Sequence, residues 1–149
     1  MILRSPAEFT KKHGQKALLA AAKVERHQSL WDIAATVMEE ADREFASRYT
    51  AIAFTHNFQG SPHIDTQNIG PFYGLGLGDY RNGGELCVES GVREVSYCDT
   101  HGRLAKVDGR YPHWVAPYDG TRFSVIYYQT LGTPTPMGEA VLSIDNGEE

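Results

Sequence analysis

The 149-residue chain has the length of one domain that buries about two-thirds of its unfolded surface, so no second domain is required. With 41% hydrophobic and 22% charged residues it does not have the composition of a disordered chain. A net charge of -5 excludes a generally basic, nucleic-acid-coating surface while leaving room for a local basic groove.

In chain order, Ser5-Pro6-Ala7-Glu8 predicts a helix start, with Ser5 as N-cap and Pro6 in the first turn. Good helix formers from Ala17 to Val24 predict a second helical stretch, and Ser29-Leu30-Trp31-Asp32 opens a third that runs to about Arg48. Trp31, Ala34, Ala35, Met38, Ala41 and Phe45 recur at helical spacing, giving an apolar stripe that should lie against a sheet. From Tyr49 the pattern turns extended. Candidate strands are Tyr49 to Phe58, Pro71 to Leu77, Glu85 to Glu89, Arg93 to Cys98, Arg103 to Val107, Trp114 to Pro117 and Arg122 to Thr130. Turn signals separate them, among them Asn82-Gly83-Gly84, Ser90-Gly91, His101-Gly102, Asp108-Gly109 and Asp119-Gly120.

Helices first and short strands afterwards predict an α+β domain over residues 1–149. Its helices lie at about 5–48, a small barrel or jelly roll at about 49–130, and a partly mobile tail from there to Glu149. Cys87 and Cys98 show neither C-x-x-C nor Cys/His zinc spacing, so they read as buried, reduced thiols. Without an apolar signal core at Met1 to Pro6, or a segment of membrane-span length, the expected setting is intracellular, cytoplasmic or nuclear.

The chemistry concentrates in Pro62-His63-Ile64-Asp65, Pro112-His113-Trp114 and Thr121-Arg122-Phe123-Ser124. In an extended segment the two-residue period puts His63 and Asp65 on one side and Ile64 on the other, so both can reach a single ion. His113 joins them only if the chain folds back. Two imidazoles and a carboxylate are the facial ligand set that leaves non-haem Fe(II) with open positions. The same parity puts Arg122, Ser124, Ile126 and Tyr128 on one strand face. An unpaired interior arginine costs several kcal/mol, so an inward Arg122 predicts an anionic guest, which its planar donor fork and the Ser124 hydroxyl can hold. His56, on the strand before the metal pair, is the rival third ligand. His13, His27 and His101 read as ordinary surface or core histidines. Gly74, Gly76 and Gly78 lack the following helix and lysine of a phosphate loop.

The order His63-x-Asp65, distant His113, then Arg122-x-Ser124 resembles the Fe(II)/2-oxoglutarate-dependent dioxygenase superfamily. The stretches His63 to Pro71, Gly76 to Tyr80, Gly83 to Leu86 and Asp108 to Trp114 look distantly similar to its nucleobase-oxidising TET and J-binding-protein branch. The resemblance covers roughly residues 50 to 130. It implies a double-stranded β-helix, jelly-roll or cupin-like, with N-terminal helices as a buttress. It also implies that His63, Asp65 and His113 bind Fe(II), that Arg122 and Ser124 anchor 2-oxoglutarate, and that Asn57 adds a polar contact to the co-substrate. Dioxygen is the second co-substrate and hydroxylation of a C–H bond the reaction; a carboxylate ligand at Asp65 favours hydroxylation over halogenation.

Three functions compete. The first, and the leading candidate, acts on a methylated nucleobase in DNA or RNA, which would need Tyr73, Tyr80 or Trp114 to stack on a flipped base and Arg81, Arg93, Arg103, Lys106 and Arg110 to gather on one rim. The second hydroxylates a protein side chain or small metabolite. The third is a cupin-like protein that holds a metal without turnover, for which an inward Arg122 has no use.

Overall fold

The structure is a computed structural model that describes residues 1–9 and 14–144. Strand β1 (Ile2–Arg4) precedes four helices, α1 (Pro6–Phe9), α2 (Gln15–Arg26), α3 (Gln28–Ala41) and α4 (Arg43–Ala46). Eight strands follow: β2 (Ala51–His56), β3 (Phe72–Gly78), β4 (Leu86–Gly91), β5 (Glu94–Cys98), β6 (Leu104–Val107), β7 (His113–Val115), β8 (Arg122–Tyr128) and β9 (Val141–Ile144). Each candidate strand of the sequence is present, with no end displaced by more than two residues. Their pairing is antiparallel, in one sheet of order β1-β2-β8-β3-β6-β9 and another of order β5-β4-β7. The architecture is therefore mixed α+β with two sheets, not a closed barrel.

The predicted third helix is split at Asp42, whose backbone is extended. An aspartate competes with helix bonding by offering its carboxylate to nearby N–H groups. Here that carboxylate caps α4 by accepting from Phe45 N at 2.9 Å, and also accepts from the Tyr73 hydroxyl at 2.7 Å and Lys106 Nζ at 3.3 Å. Trp31, Ala34, Met38 and Phe45 of the stripe are buried and Ala35 packs beside them, whereas Ala41, immediately before the break, is exposed.

Strand parity sorts the core into two layers. Tyr73 and Tyr127 point to the helices and pack with Leu3, Val24, Trp31, Met38, Phe45, Tyr49 and Ile52. Edge-to-face pairs of Phe45 with Tyr73 at 5.0 Å and Tyr49 with Tyr127 at 5.4 Å join helix to sheet, each worth about 0.5–1.5 kcal/mol beyond the area it buries. On the opposite face Phe72 packs with Leu86, Val88, Cys98, Ala105 and Val107, with Ile126 and Tyr128 alongside. Both cysteines are buried and unpaired, and burial pushes both thiols upward in pKa.

Two strands lie outside the predicted set. Backbone pairing of Ile2 to Arg4 with β2 makes the extreme N-terminus an edge strand. Within the segment expected as a tail, Val141–Ile144 form an edge strand on β6. The segment before it is held by Arg110, which donates to Thr135 O at 2.6 Å while pairing at 2.7 Å with the buried Asp108. Tyr111 adds a bond to Gly138 O at 2.5 Å. Residues 145–149 and His13 lie outside the described residues. No helix among the described residues is long and apolar enough to cross a membrane.

Candidate metal centre and anion pocket

His63 and Asp65 lie on the extended segment between β2 and β3, and His113 opens β7. Sequence separation is overcome by a backbone bridge in which His63 N donates to His113 O at 3.1 Å and His113 N to His63 O at 3.0 Å. Asp65 N donates to Gly109 O at 2.8 Å, fixing the next residue of the same face. Gly109 must be small, since a Cβ there would lie 2.4 Å from Asp65 Oδ2 and 2.8 Å from the Phe72 ring. The three ligand atoms consequently fall within 4.8 Å of one another.

Both rings are oriented by their second nitrogen. His63 Nδ1 donates to Ser61 O at 2.9 Å and His113 Nδ1 to Tyr111 O at 2.9 Å, since a carbonyl can only accept. Each Nε2 is then left facing Asp65, at 3.8 Å from Oδ1 for His63 and 3.6 Å from Oδ2 for His113. Hydrogen bonding of the far ring nitrogen is the usual way a metal-ligating imidazole is held in its tautomer. Burial pushes the Asp65 carboxyl up in pKa, against the pull of His113 and His63. Asn68 Nδ2 donates to Asp65 Oδ2 at 3.0 Å, a contact that sequence reasoning missed. The spacing of three from Asp65, across a Gln-Asn turn, is the signal that was present.

Arg122 and Ser124 lie on the inner face of β8 and are buried; the exposed Phe123 between them turns outward. They line, with His63, Asp65, His113, Thr100 and apolar side chains from both sheets, a cavity of about 110 Å³. Arg122 is 4% exposed, and its guanidinium donates to Thr100 Oγ1 at 3.3 Å and sits 5.2 Å from the Tyr80 ring and 5.9 Å from the Tyr118 ring. Its Nε has no hydrogen-bond partner, and among the described residues no carboxylate lies within 4.0 Å of it. A charge held this way lacks its counter-ion. Ser124 Oγ is hydrogen-bonded to Thr55 Oγ1.

Other candidates fall elsewhere. Asn57 is exposed in the left-handed region at φ 52, and its side-chain oxygen accepts from Arg122 N at 2.8 Å. It fixes the backbone of Arg122 and is not among the cavity's lining residues. His56 stacks on Phe123 at 4.8 Å on the outward face and stands apart from the ligand group. His101 stacks on Tyr80 at 4.1 Å and bonds Gly78 O, and His27 is exposed at the α2–α3 junction. Tyr73 belongs to the helix-side core, Trp114 lines the cavity, and Tyr80 faces Arg122.

The residues expected to supply a basic rim are dispersed. Lys106 pairs with Asp42 on the helix side, Arg110 with Asp108 under the C-terminal segment, and Arg103 with Asp99 at 3.8 Å. Arg93 is in the β4–β5 turn, and Arg81 is bridged through its backbone to Asp119.

Compared with known proteins, the chain matches no family model, no curated protein sequence and no solved structure.

Proposed function

We propose that the protein is an Fe(II)- and 2-oxoglutarate-dependent dioxygenase that hydroxylates a C–H bond, with its two sheets read as a double-stranded β-helix around the site. One observation carries the reading. A cluster of two oriented imidazoles and a carboxylate shares a cavity with a buried arginine that lacks a carboxylate partner. The donor set suits a divalent first-row metal, and the arginine suits the distal carboxylate of a dicarboxylic acid chelating that metal. When bound, iron and 2-oxoglutarate supply the oxidising chemistry, in which dioxygen converts a substrate C–H to C–OH with release of succinate and carbon dioxide.

The chain's own residues hold and orient. His63, Asp65 and His113 would hold the metal, and their hydrogen bonds to Ser61, Tyr111 and Asn68 fix the direction of each ligand. Arg122 and Ser124 would hold the co-substrate, whose carboxylate supplies the counter-ion that the guanidinium lacks. Phe72, Leu75, Leu86, Val115 and Ile126 form apolar walls that exclude water from the reacting end.

For the substrate, the dispersed basic residues and the net charge of -5 favour a protein side chain or small metabolite over the methylated nucleobase. The deciding experiment supplies Fe(II), 2-oxoglutarate and oxygen to the protein and measures succinate. Wild type is expected to form it in an iron-dependent way, and His113→Ala and Arg122→Ala to lose it. Tight metal binding with no response to 2-oxoglutarate, in wild type and Arg122→Ala alike, would assign a metal-holding protein instead. Oxidised nucleosides after incubation with methylated DNA or RNA would restore the nucleobase as substrate.

A further inference from the structure

The small sheet ends in an open edge. In the order β5-β4-β7 the outer side of β7 is already bridged by His63, whereas among the described residues no strand lies beyond β5. On β4, Glu89 N donates to Pro112 O and Glu85 O accepts from Ala116 N, so the odd-numbered residues turn their backbone groups toward β7. Leu86 and Val88 are left to bond β5, opposite Cys98 and Ser96. The N–H and C=O groups of Val95 and Tyr97 therefore face outward along the edge.

This edge lacks the usual protection against further pairing. Exposed edges are commonly blunted by short strands, lysine or proline. β5 has five residues, against three in β1 and four in β9 at the ends of the larger sheet. Between Arg93 and Asp99 it carries neither lysine nor proline. Cys98, Leu86 and Val88 belong to the core, so the opposite face of the sheet presents Val95 at 37% and Tyr97 at 66% exposure.

The edge is also complementary to itself. Antiparallel pairing of β5 with its own copy about Ser96 sets Val95 opposite Tyr97 of the second copy, in a backbone-bonded pair, and Arg93 opposite Asp99. An aromatic against a β-branched side chain, and opposite charges face to face, are favourable cross-strand combinations. Both charged residues are exposed. Among the described residues Arg93 has no carboxylate within 4.0 Å, and Asp99 meets Arg103 only at 3.8 Å. Glu94 falls opposite Cys98, so no like charges meet. Centring the pair on Val95 or on Tyr97 would set Arg93 opposite Tyr97 or His101 and lose both charge pairs.

We propose that the β5 edge is a self-association surface, on which two copies of this chain pair antiparallel about Ser96 and join their small sheets into one of six strands. The match of charge and side chain about a single residue selects a second copy over an unrelated strand. A twofold contact uses the same patch on both partners and closes the assembly at two. It holds whatever the cavity binds.

Sedimentation equilibrium on the full chain tests it. Wild type is expected to dimerise reversibly. Val95→Pro removes an edge N–H without removing a bond to β4, and should leave the protein monomeric with its circular dichroism unchanged. Arg93→Asp and Asp99→Arg each bring like charges together at both ends of the pair, and should each weaken association about tenfold. Mixed in equal amounts, the two variants should recover the wild-type affinity, because each then meets the opposite charge. If Val95→Pro disturbs the fold, the charge variants and their mixture decide alone. A wild type that stays monomeric up to its solubility limit overturns the proposal. So does a dimer that is indifferent to the charge reversals, or whose variants fail to recover on mixing, since its interface would then lie elsewhere.

Discussion

Asn68 shows how little separates a ligand from a merely nearby carboxylate. Asp65 is half-buried and burial pushes its carboxyl up in pKa, and a bond from the Asn68 amide to Oδ2 favours the ionised form while Oδ1 faces His63 Nε2. Groups that orient a ligand in this way typically contribute about 10- to 100-fold in metal affinity. Asn68→Leu, similar in volume but without the donor, should therefore weaken Mn(II) binding by about that factor while leaving the circular dichroism spectrum intact. Unchanged affinity would show that Asp65 needs no support. Parity made His63, Asp65, Arg122 and Ser124 readable as pairs, because alternation along a strand is local. Thr55, Thr100 and Asn68 went unread, because each acquires its contacts only from a neighbour far along the chain or across a turn.

At the scale of elements, the helix layer is attached to the large sheet through tyrosines. Burial, with Glu39 nearby, pushes the Tyr49 phenol up to about 12, and burial pushes Tyr73 and Tyr127 upward as well. The unfolded chain releases such protons near pH 10, so between about pH 10 and 12 the folded state binds more protons than the unfolded one. Stability contributed by these phenols is thus fully present below pH 10 and is lost as pH rises toward about 12. Alkaline titration should show the buried phenolates appearing together with loss of helical circular dichroism. Phenolate absorbance that completes near pH 10 with the helices intact would mean that these rings are not held between helix and sheet. The Asp42 break follows a similar logic. The apolar stripe was continuous in sequence, but the carboxylate found three partners that a helix interior would have denied it.

For the molecule as a whole, the candidate site lies between the two sheets, and His63, Asp65 and His113 join loop to sheet at the second layer. A ligand that binds only the folded state stabilises it by RT ln(1 + [L]/Kd), about 2.7 kcal/mol at a hundredfold excess over Kd. Mn(II) should accordingly raise the melting temperature of wild type and leave that of His63→Ala unmoved. The metal-free melting temperatures should nearly coincide, since the His63 side chain is 44% exposed and surface substitutions usually shift stability by less than about 0.5 kcal/mol. A metal-induced rise that survives His63→Ala would place the ion elsewhere.

The sequence by itself determined the α+β class, the strand positions, the inward face of β8 and the His63–Asp65 pair, because periodicity and turn chemistry act over a few residues. Tertiary structure alone decided the rest. It brought His113 to His63 through a backbone bridge and turned His56 outward. It also set Asn57 on the Arg122 backbone and paired Arg103, Lys106 and Arg110 each with a different aspartate. Ile2–Arg4 and Val141–Ile144 are strands only because a neighbouring edge had free N–H and C=O groups to offer. Separate sheets in place of a closed barrel reflect the same dependence on distant partners. Hydrogen bonding between segments far apart in sequence is set by which edges meet, and no local pattern of residues encodes that meeting.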